Sequence, residues 1–302
     1  MPPLHTITLM TTRTVRFKQV DVFTTAPFKG NPLAVVFDAD DLSTESMQAI
    51  ARWTNLSETT FLLRPTDPVA DYRVRIFTTS RELPFAGHPT LGSAHALLES
   101  GYASKQKGRL VQQCGVGLVP IVEREDGAWA FAAPPARIQP LNDAQQQQLT
   151  AAFGSDVIDF TAPPCAVDNG VPWLVTRVNS AADCLALKPN REAMTALMAD
   201  TAMLGLAVYG PHPDAAPATF ELRALLFGEE NTEDPVTGSA NAALACLLTT
   251  QNRRPGPSFT VRQGTAIGRD GRISITYDDT TDKVQTWIGG HTVTIVDGTF
   301  RL

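Results

Sequence analysis

Two stretches of this chain space their chemistry-bearing residues identically. Glu82-Leu83-Pro84-Phe85-Ala86-Gly87-His88 and Glu233-Asp234-Pro235-Val236-Thr237-Gly238-Ser239 both read E-x-P-x-x-G followed by a polar residue, and they align without a gap. Each opens a small-residue, apolar run, Pro89 to Leu98 after the first and Ala240 to Leu248 after the second. A glycine-bearing turn that feeds a helix leaves backbone N–H groups free beside the positive end of the helix dipole, an arrangement suited to binding an anion. Gly87 and Gly238 are therefore read as backbone contacts to a ligand. Two such turns from two related halves imply one ligand held between two domains.

Three side chains in these turns, and two farther upstream, could do the chemistry. His88 would stand at a helix start, where the dipole favours the neutral imidazole; the plain alternative is a structural cap. Ser239 takes the same place in the second half, by default as a helix N-cap whose hydroxyl also reaches a ligand at the helix end. Asp234 is either a site carboxylate or a turn acid in the acidic loop Glu229-Glu230-Asn231-Thr232-Glu233-Asp234. Glu58 lies at the entry of an expected strand. A carboxylate there, facing a water-poor cleft, would have a raised pKa and could shuttle a proton; a solvated loop glutamate is the alternative. The aligned place in the second half, around Leu204 and Gly205, holds no acid, so this glutamate belongs to one half only. Asn31 follows Gly30 in a turn and is either a turn residue or a ligand contact.

The elements that must position these residues also recur. Gly30 to Val36 and Asn169 to Val175 read as strands after turns. Helical patterns follow over Ser43 to Trp53, with Ser43 as N-cap and Glu45 in the first turn, and over Asn190 to Met198. Strands are expected over Thr59 to Leu63 and Gly205 to Tyr209, then over Tyr72 to Phe77 and Phe220 to Leu225, ahead of each motif. The order is strand, helix, strand, strand, motif, helix, twice over. The two halves differ in length by roughly a dozen residues between turn and motif, a change that surface loops absorb. The motif helices are apolar nearly all round, and such helices are buried on all sides. The expected fold is α/β (α+β): two similar domains, each a mixed, barrel-like sheet wrapped around a central helix.

Composition narrows the function. The 302 residues, 43% hydrophobic, suffice for two cores. A net charge of −6 without any Lys/Arg run argues against a nucleic-acid surface, and no apolar stretch is long enough to span a bilayer. Cys114, Cys165, Cys184 and Cys246 are scattered, which suits reduced thiols in a cytoplasmic protein, and the five histidines show no metal-ligand spacing. The first 13 residues carry no apolar run of signal-peptide type and read as a frayed extension, with Met10 as an alternative start. No G-x-G-x-x-G follows a strand, which disfavours a dehydrogenase.

Five stretches in order resemble the phenazine-biosynthesis PhzF-like family of the diaminopimelate-epimerase-like superfamily. They are Val20 to Phe23 with Gly30 to Val35, Asn55 to Phe61, Phe77-Thr78 with Glu82 to Thr90, Glu233 to Ala240, and Gln263-Gly264 with Gly268-Arg269. The resemblance implies an active site between two epimerase-like domains, a homodimer, a small-molecule carboxylate substrate and no cofactor or metal. It places residues 14–130 with a returning segment 290–302 in the first domain and 131–289 in the second. It further implies that Glu58 transfers the proton, that His88 contacts substrate and assists, that Asp234 polarises or orients the substrate, and that Ser239 and Asn31 lie at the ligand.

One departure bears on the reaction. Racemases and epimerases of the superfamily use two cysteines, one per half; aligning the glycines puts Ala86 and Thr237 there. Neither side chain is a base, so a single acid/base group moving a proton between two carbons of one substrate face fits better. The expected function is a cofactor-independent isomerase of a small carboxylate. An epimerase- or lyase-type enzyme on the same scaffold, or a non-catalytic anion-binding protein, are the alternatives, because a scaffold does not fix a substrate.

Overall fold

The computed structural model describes residues 13–227, 232–280 and 284–302. The expected N-terminal extension, apart from Arg13, lies outside the described residues, as do Glu229-Glu230-Asn231 of the acidic loop. The first half runs β1 (Thr14–Val22), β2 (Asn31–Val36), α1 (Thr44–Thr54), β3 (Thr59–Leu63), β4 (Tyr72–Phe77), β5 (Glu82–Leu83), α2 (Gly87–Glu99), β6 (Arg109–Cys114), β7 (Gly117–Glu123) and β8 (Trp129–Ala132). The second runs β9 (Arg137–Pro140), α3 (Asp143–Phe153), β10 (Cys165–Asp168), β11 (Pro172–Arg177), α4 (Ala181–Ala186), α5 (Arg191–Thr201), β12 (Gly205–Pro211), β13 (Phe220–Leu226), β14 (Glu233–Asp234), α6 (Gly238–Thr250), β15 (Ser258–Gln263), β16 (Gly271–Asp278) and β17 (Gln285–Gly290). The last strand, β18 (Thr292–Arg301), pairs antiparallel with β1.

The same order of strand orientations occurs twice. From β18 the neighbours are β1 and β2 (antiparallel), β3 (parallel), β4 (antiparallel), β6 (parallel), then β7 and β8 (antiparallel). From β9 they are β10 and β11 (antiparallel), β12 (parallel), β13 (antiparallel), β15 (parallel), then β16 and β17 (antiparallel). An antiparallel β8–β17 pair joins the two runs. Parallel neighbours need a crossover, and helices supply it: α1 between β2 and β3, α2 between β4 and β6, α4 with α5 between β11 and β12, and α6 between β13 and β15.

Local signals explain most helix ends. The Ser43 side chain accepts from the Ser46 N–H at 3.2 Å to cap α1, and Asn55, at φ 54°, closes it in the left-handed conformation. α1 then turns Met47, Ile50 and Ala51 onto Phe61, Leu63 and Phe77. Asn190 caps α5 through the Ala193 N–H, one residue before the helix begins. α3 was not among the expected elements, although its capping box, Asn142 with Gln145, and its terminal Gly154 are written in the sequence. It joins α5 in a second core with Leu174, Leu206 and Val208.

α2 and α6 are the two buried helices. Gly238, Ala240 to Ala245, Leu247 and Leu248 of α6 form a nearly unbroken buried surface, except for the half-buried Cys246 among the alanines. Gly87 to Ala94 and Ala96 of α2 are buried likewise. Both helices contribute to one large core with Val20, Leu33, Phe131, Trp173, Leu222 and Ile288 drawn from both strand runs.

Candidate active site

The N-termini of α2 and α6 abut. A Cβ built on Gly238 would lie 3.4 Å from the Gly87 Cα, and one on Gly87 only 2.7 Å from Cζ of Phe131. The close approach explains why both motifs place glycine at the first helical position. Ala86 and Thr237 are the N-caps, both with extended backbone and neither capping through its side chain. Ser239 is therefore not the N-cap that its residue type suggests; Thr237 stands there and Ser239 occupies the second helical position, matching His88 in α2. The Ser239 hydroxyl instead accepts from Trp173 Nε1 at 3.1 Å, and its carbonyl accepts from Asn169 Nδ2 at 3.0 Å.

Glu58 reaches this junction because the left-handed turn at Asn55 sends the chain straight into β3, whose Thr59 pairs with Ala34 of β2. Its Oε2 lies 3.3 Å from His88 Nε2, with side-chain exposures of only 16% and 8%. Among the described residues neither atom has a hydrogen-bond partner of proper geometry. Burial first, and the Asp234 charge second, push the Glu58 carboxyl up to about 8. Burial pushes His88 down to about 3, so its imidazole is neutral at physiological pH. Desolvation thus gives His88 the neutrality that the helix dipole led us to expect.

Asp234 comes from the second half. Asn31 Nδ2 donates to its Oδ1 at 3.2 Å and to the Val236 carbonyl at 2.9 Å, while the Thr237 hydroxyl donates to its Oδ2. Burial raises the Asp234 carboxyl above the usual range, opposed by the bonds from Thr237 and Asn31. Asn31 is fully buried and carries its amide across from β2. Glu58, His88, Asp234, Asn31, Gly87 and Gly238 are thus gathered around one helix junction, with Ser239 one residue along α6.

Several neighbours of these side chains are not among the site residues expected from sequence, although Gln263 lies in one of the stretches that carry the resemblance. Trp173 orients Ser239, and Gln263 and Asn241 hold Thr237: Gln263 Oε1 accepts from the Thr237 N–H at 3.0 Å and from Asn241 Nδ2 at 2.9 Å. Asn241 had a signal, as an amide inside an otherwise apolar helix. The glutamates that open the motifs are structural. Glu82 pairs with Arg75 at 2.6 Å, and Glu233 with Arg223 at 2.8 Å. Arg223 also donates to the carbonyls of Cys184 and Leu187, so it braces the second motif, while Arg81 is exposed. All four cysteines are free thiols raised by burial, and none stands at the two N-caps. Among the described residues no group of three His, Cys, Asp or Glu is arranged to hold a metal, and no helix is long and apolar enough to cross a membrane.

A mixed α/β sheet folded around two buried helices, with ionisable groups gathered at their meeting point, is the architecture of the epimerase-like class. The chain belongs to the family described as phenazine biosynthesis-like protein, whose profile matches residues 20–298. It is similar to antisense-enhancing sequence 1 of Schizosaccharomyces pombe, 37% identical over 290 residues that cover 93% of this chain and 97% of the relative. It is also 37% identical, over 263 residues, to the trans-2,3-dihydro-3-hydroxyanthranilate isomerase of Pseudomonas aeruginosa, covering 85% and 88% of the two chains. Its structure resembles that of the PhzF-family phenazine biosynthesis protein of Bacillus anthracis, with a TM-score of 0.83 and 26% identity over 95% of this chain and 99% of the other. The protein is an enzyme of the isomerase class.

Proposed function

We propose that the protein is a cofactor-independent isomerase that shifts a proton between two carbons of a small carboxylate-bearing metabolite, with Glu58 as the single proton carrier. The observation that carries this reading is the Glu58 carboxyl, buried 3.3 Å from a neutral imidazole and raised to about 8, close to working pH. A group so poised exchanges a proton with carbon at modest cost in either direction.

In the proposed cycle ionised Glu58 removes a proton from one substrate carbon, leaving a delocalised carbanion or enol. Protonated Glu58, whose acidic hydrogen exchanges with solvent during the lifetime of that intermediate, then delivers a proton to another carbon on the same face, so the enzyme ends as it began. His88, neutral and with a free Nε2, holds a polar group of the substrate. The Ser239 hydroxyl accepts from Trp173, which leaves its own hydrogen for a substrate oxygen held at the helix ends by the Gly87 and Gly238 backbone. Asp234 and Asn31 fix the substrate's remaining polar groups. Ala86 and Thr237 at the two N-caps supply no second base, which favours a proton shift over two-base racemisation.

In this proposal the strand runs are two duplicated domains, residues 14–130 with 290–302 and residues 131–289, the substrate lies in the cleft between them, and the protein is a cytoplasmic homodimer. The substrate of the Pseudomonas relative is the first compound to test, followed by an unbiased metabolite screen. In deuterated water the wild type should place solvent deuterium on the substrate, and Glu58→Gln should bind without exchanging. Wild-type exchange and turnover by Glu58→Gln would remove Glu58 from the role.

A further inference from the structure

The amide of Gln263 is pinned from both sides. Backbone N–H groups only donate, so the Gln263 atom that meets the Thr237 N–H at 3.0 Å is an oxygen. Backbone carbonyls only accept, so the atom 3.1 Å from the Asp234 carbonyl is the nitrogen. That nitrogen's second hydrogen goes to Thr237 Oγ1 at 2.8 Å. The Thr237 hydroxyl accepts there and sends its own hydrogen to its remaining neighbour, Asp234 Oδ2. On the other side, Asn31 is pinned as a donor by the Val236 carbonyl and donates to Asp234 Oδ1. Both carboxylate oxygens therefore receive a hydrogen from a group whose orientation is dictated elsewhere. Gln263 is fully buried at the end of β15, and its oxygen is locked further by Asn241 Nδ2 at 2.9 Å.

We propose that Gln263 and Thr237 form a proton-directing relay that keeps Asp234 as the ionised member of the Asp234–Glu58 pair and so leaves the mobile proton on Glu58. Both are positioning residues, acting through Asp234 rather than on substrate. The inference rests on the proposed role of Glu58. The N-cap that would carry a thiol in a two-base enzyme has a different part here, because Thr237 donates a hydrogen bond instead of accepting a proton. The first half has no counterpart, since Ala86 stands at the other N-cap and Leu83 at the place of Asp234.

Among the described residues, the charged groups that bear on Asp234 are few. Glu233 opposes its ionisation from the same short strand but is itself paired with Arg223. Glu58 is close enough to feel the Asp234 charge, and His88 beside Glu58 is neutral. Of two neighbouring carboxyls, the one with better donors ionises first and its charge raises the other.

The relay can be tested by a residue-resolved carboxyl titration, using carbon NMR on full-length protein labelled at Glu and Asp side chains, with Glu58→Gln and Asp234→Asn identifying the two signals. In the wild type Glu58 should titrate last of the pair. Thr237→Val keeps the shape and removes the hydroxyl; the Glu58 midpoint should fall by about one unit or more while that of Asp234 rises, and Thr237→Ser should restore both. Thr237→Ala serves the same purpose if the valine variant fails to fold. Gln263→Met keeps the approximate length, cannot donate to Thr237 and adds no charge, and should shift the pair in the same direction. Unchanged midpoints in a folded Thr237 variant would overturn the relay while leaving the role of Glu58 intact. Loss of exchange in Glu58→Gln tests that role separately.

Discussion

Glu58 Oε2 and His88 Nε2 lie 3.3 Å apart, brought together from the entry of β3 and the first turn of α2. Their pKa values move in opposite directions for the same reason. Burial disfavours the charged form of each, so the acid keeps its proton and the base refuses one. A neutral acid beside a neutral imidazole is stable in a water-poor junction, where an exposed pair would be charged.

The activity should therefore depend on the Glu58 titration. With ionised Glu58 as the base that begins the shift, kcat/KM should rise with pH and level off above about 8, the value for the free enzyme. Asp234→Asn removes the neighbouring negative charge, so this limb should move to lower pH even as the rate falls. A flat profile from roughly pH 6 to 9 would remove Glu58 as the titrating base.

Stability should carry the same titration. The folded Glu58 holds its proton up to about 8, whereas an unfolded glutamate loses it near 4.5. Between these values the folded state binds the extra proton, so stability falls as pH rises through the window. Glu58→Gln abolishes that loss. Its stability relative to wild type, and with it the melting temperature, should climb from roughly pH 4 to pH 9, the stability gain reaching on the order of a few kcal/mol, since one pKa unit is worth about 1.4 kcal/mol. Thermal melts of the two proteins across that pH range decide it.

The glycines at the helix junction should differ in tolerance. Gly87→Ala drives a methyl to 2.7 Å from the ring of Phe131, which is fully buried and packed edge-on against Phe85. It should cost about 1–3 kcal/mol in urea unfolding. Gly238→Ala meets nothing closer than 3.4 Å and should fold with a smaller loss. Equal losses for the two variants would contradict the packing described for the junction.

The two motif-bracing ion pairs should also separate. Arg223 and Glu233 have side chains only 11% and 8% exposed, against 26% and 39% for Arg75 and Glu82. Arg223→Ala strands a buried carboxylate and should cost about 3–5 kcal/mol. Arg75→Ala should cost about 1 kcal/mol or less, as surface pairs do. Chemical denaturation of both variants measures the difference.

The sequence by itself determined the local and repetitive part of this protein. Ser43 and Asn190 cap their helices as their residue types require, and the strands Thr59–Leu63 and Tyr72–Phe77 form where hydrophobic patterning puts them. The duplicated E-x-P-x-x-G motif starts a buried helix each time, because proline fixes its own backbone angle, glycine permits the close approach of the two helix starts, and the run of small apolar residues gives a helix with no polar face. Family resemblance then named Glu58, His88, Asp234, Ser239 and Asn31 as candidates. Only the tertiary structure decided how those side chains are partnered. Trp173 on Ser239, Asn31 on Asp234, and Gln263 on Thr237 are contacts between residues 66, 203 and 26 positions apart, and no local pattern encodes them. The raised Glu58 and lowered His88 likewise follow from desolvation, which exists only once the strand runs close around α2 and α6 and exclude water from the place where the helices meet.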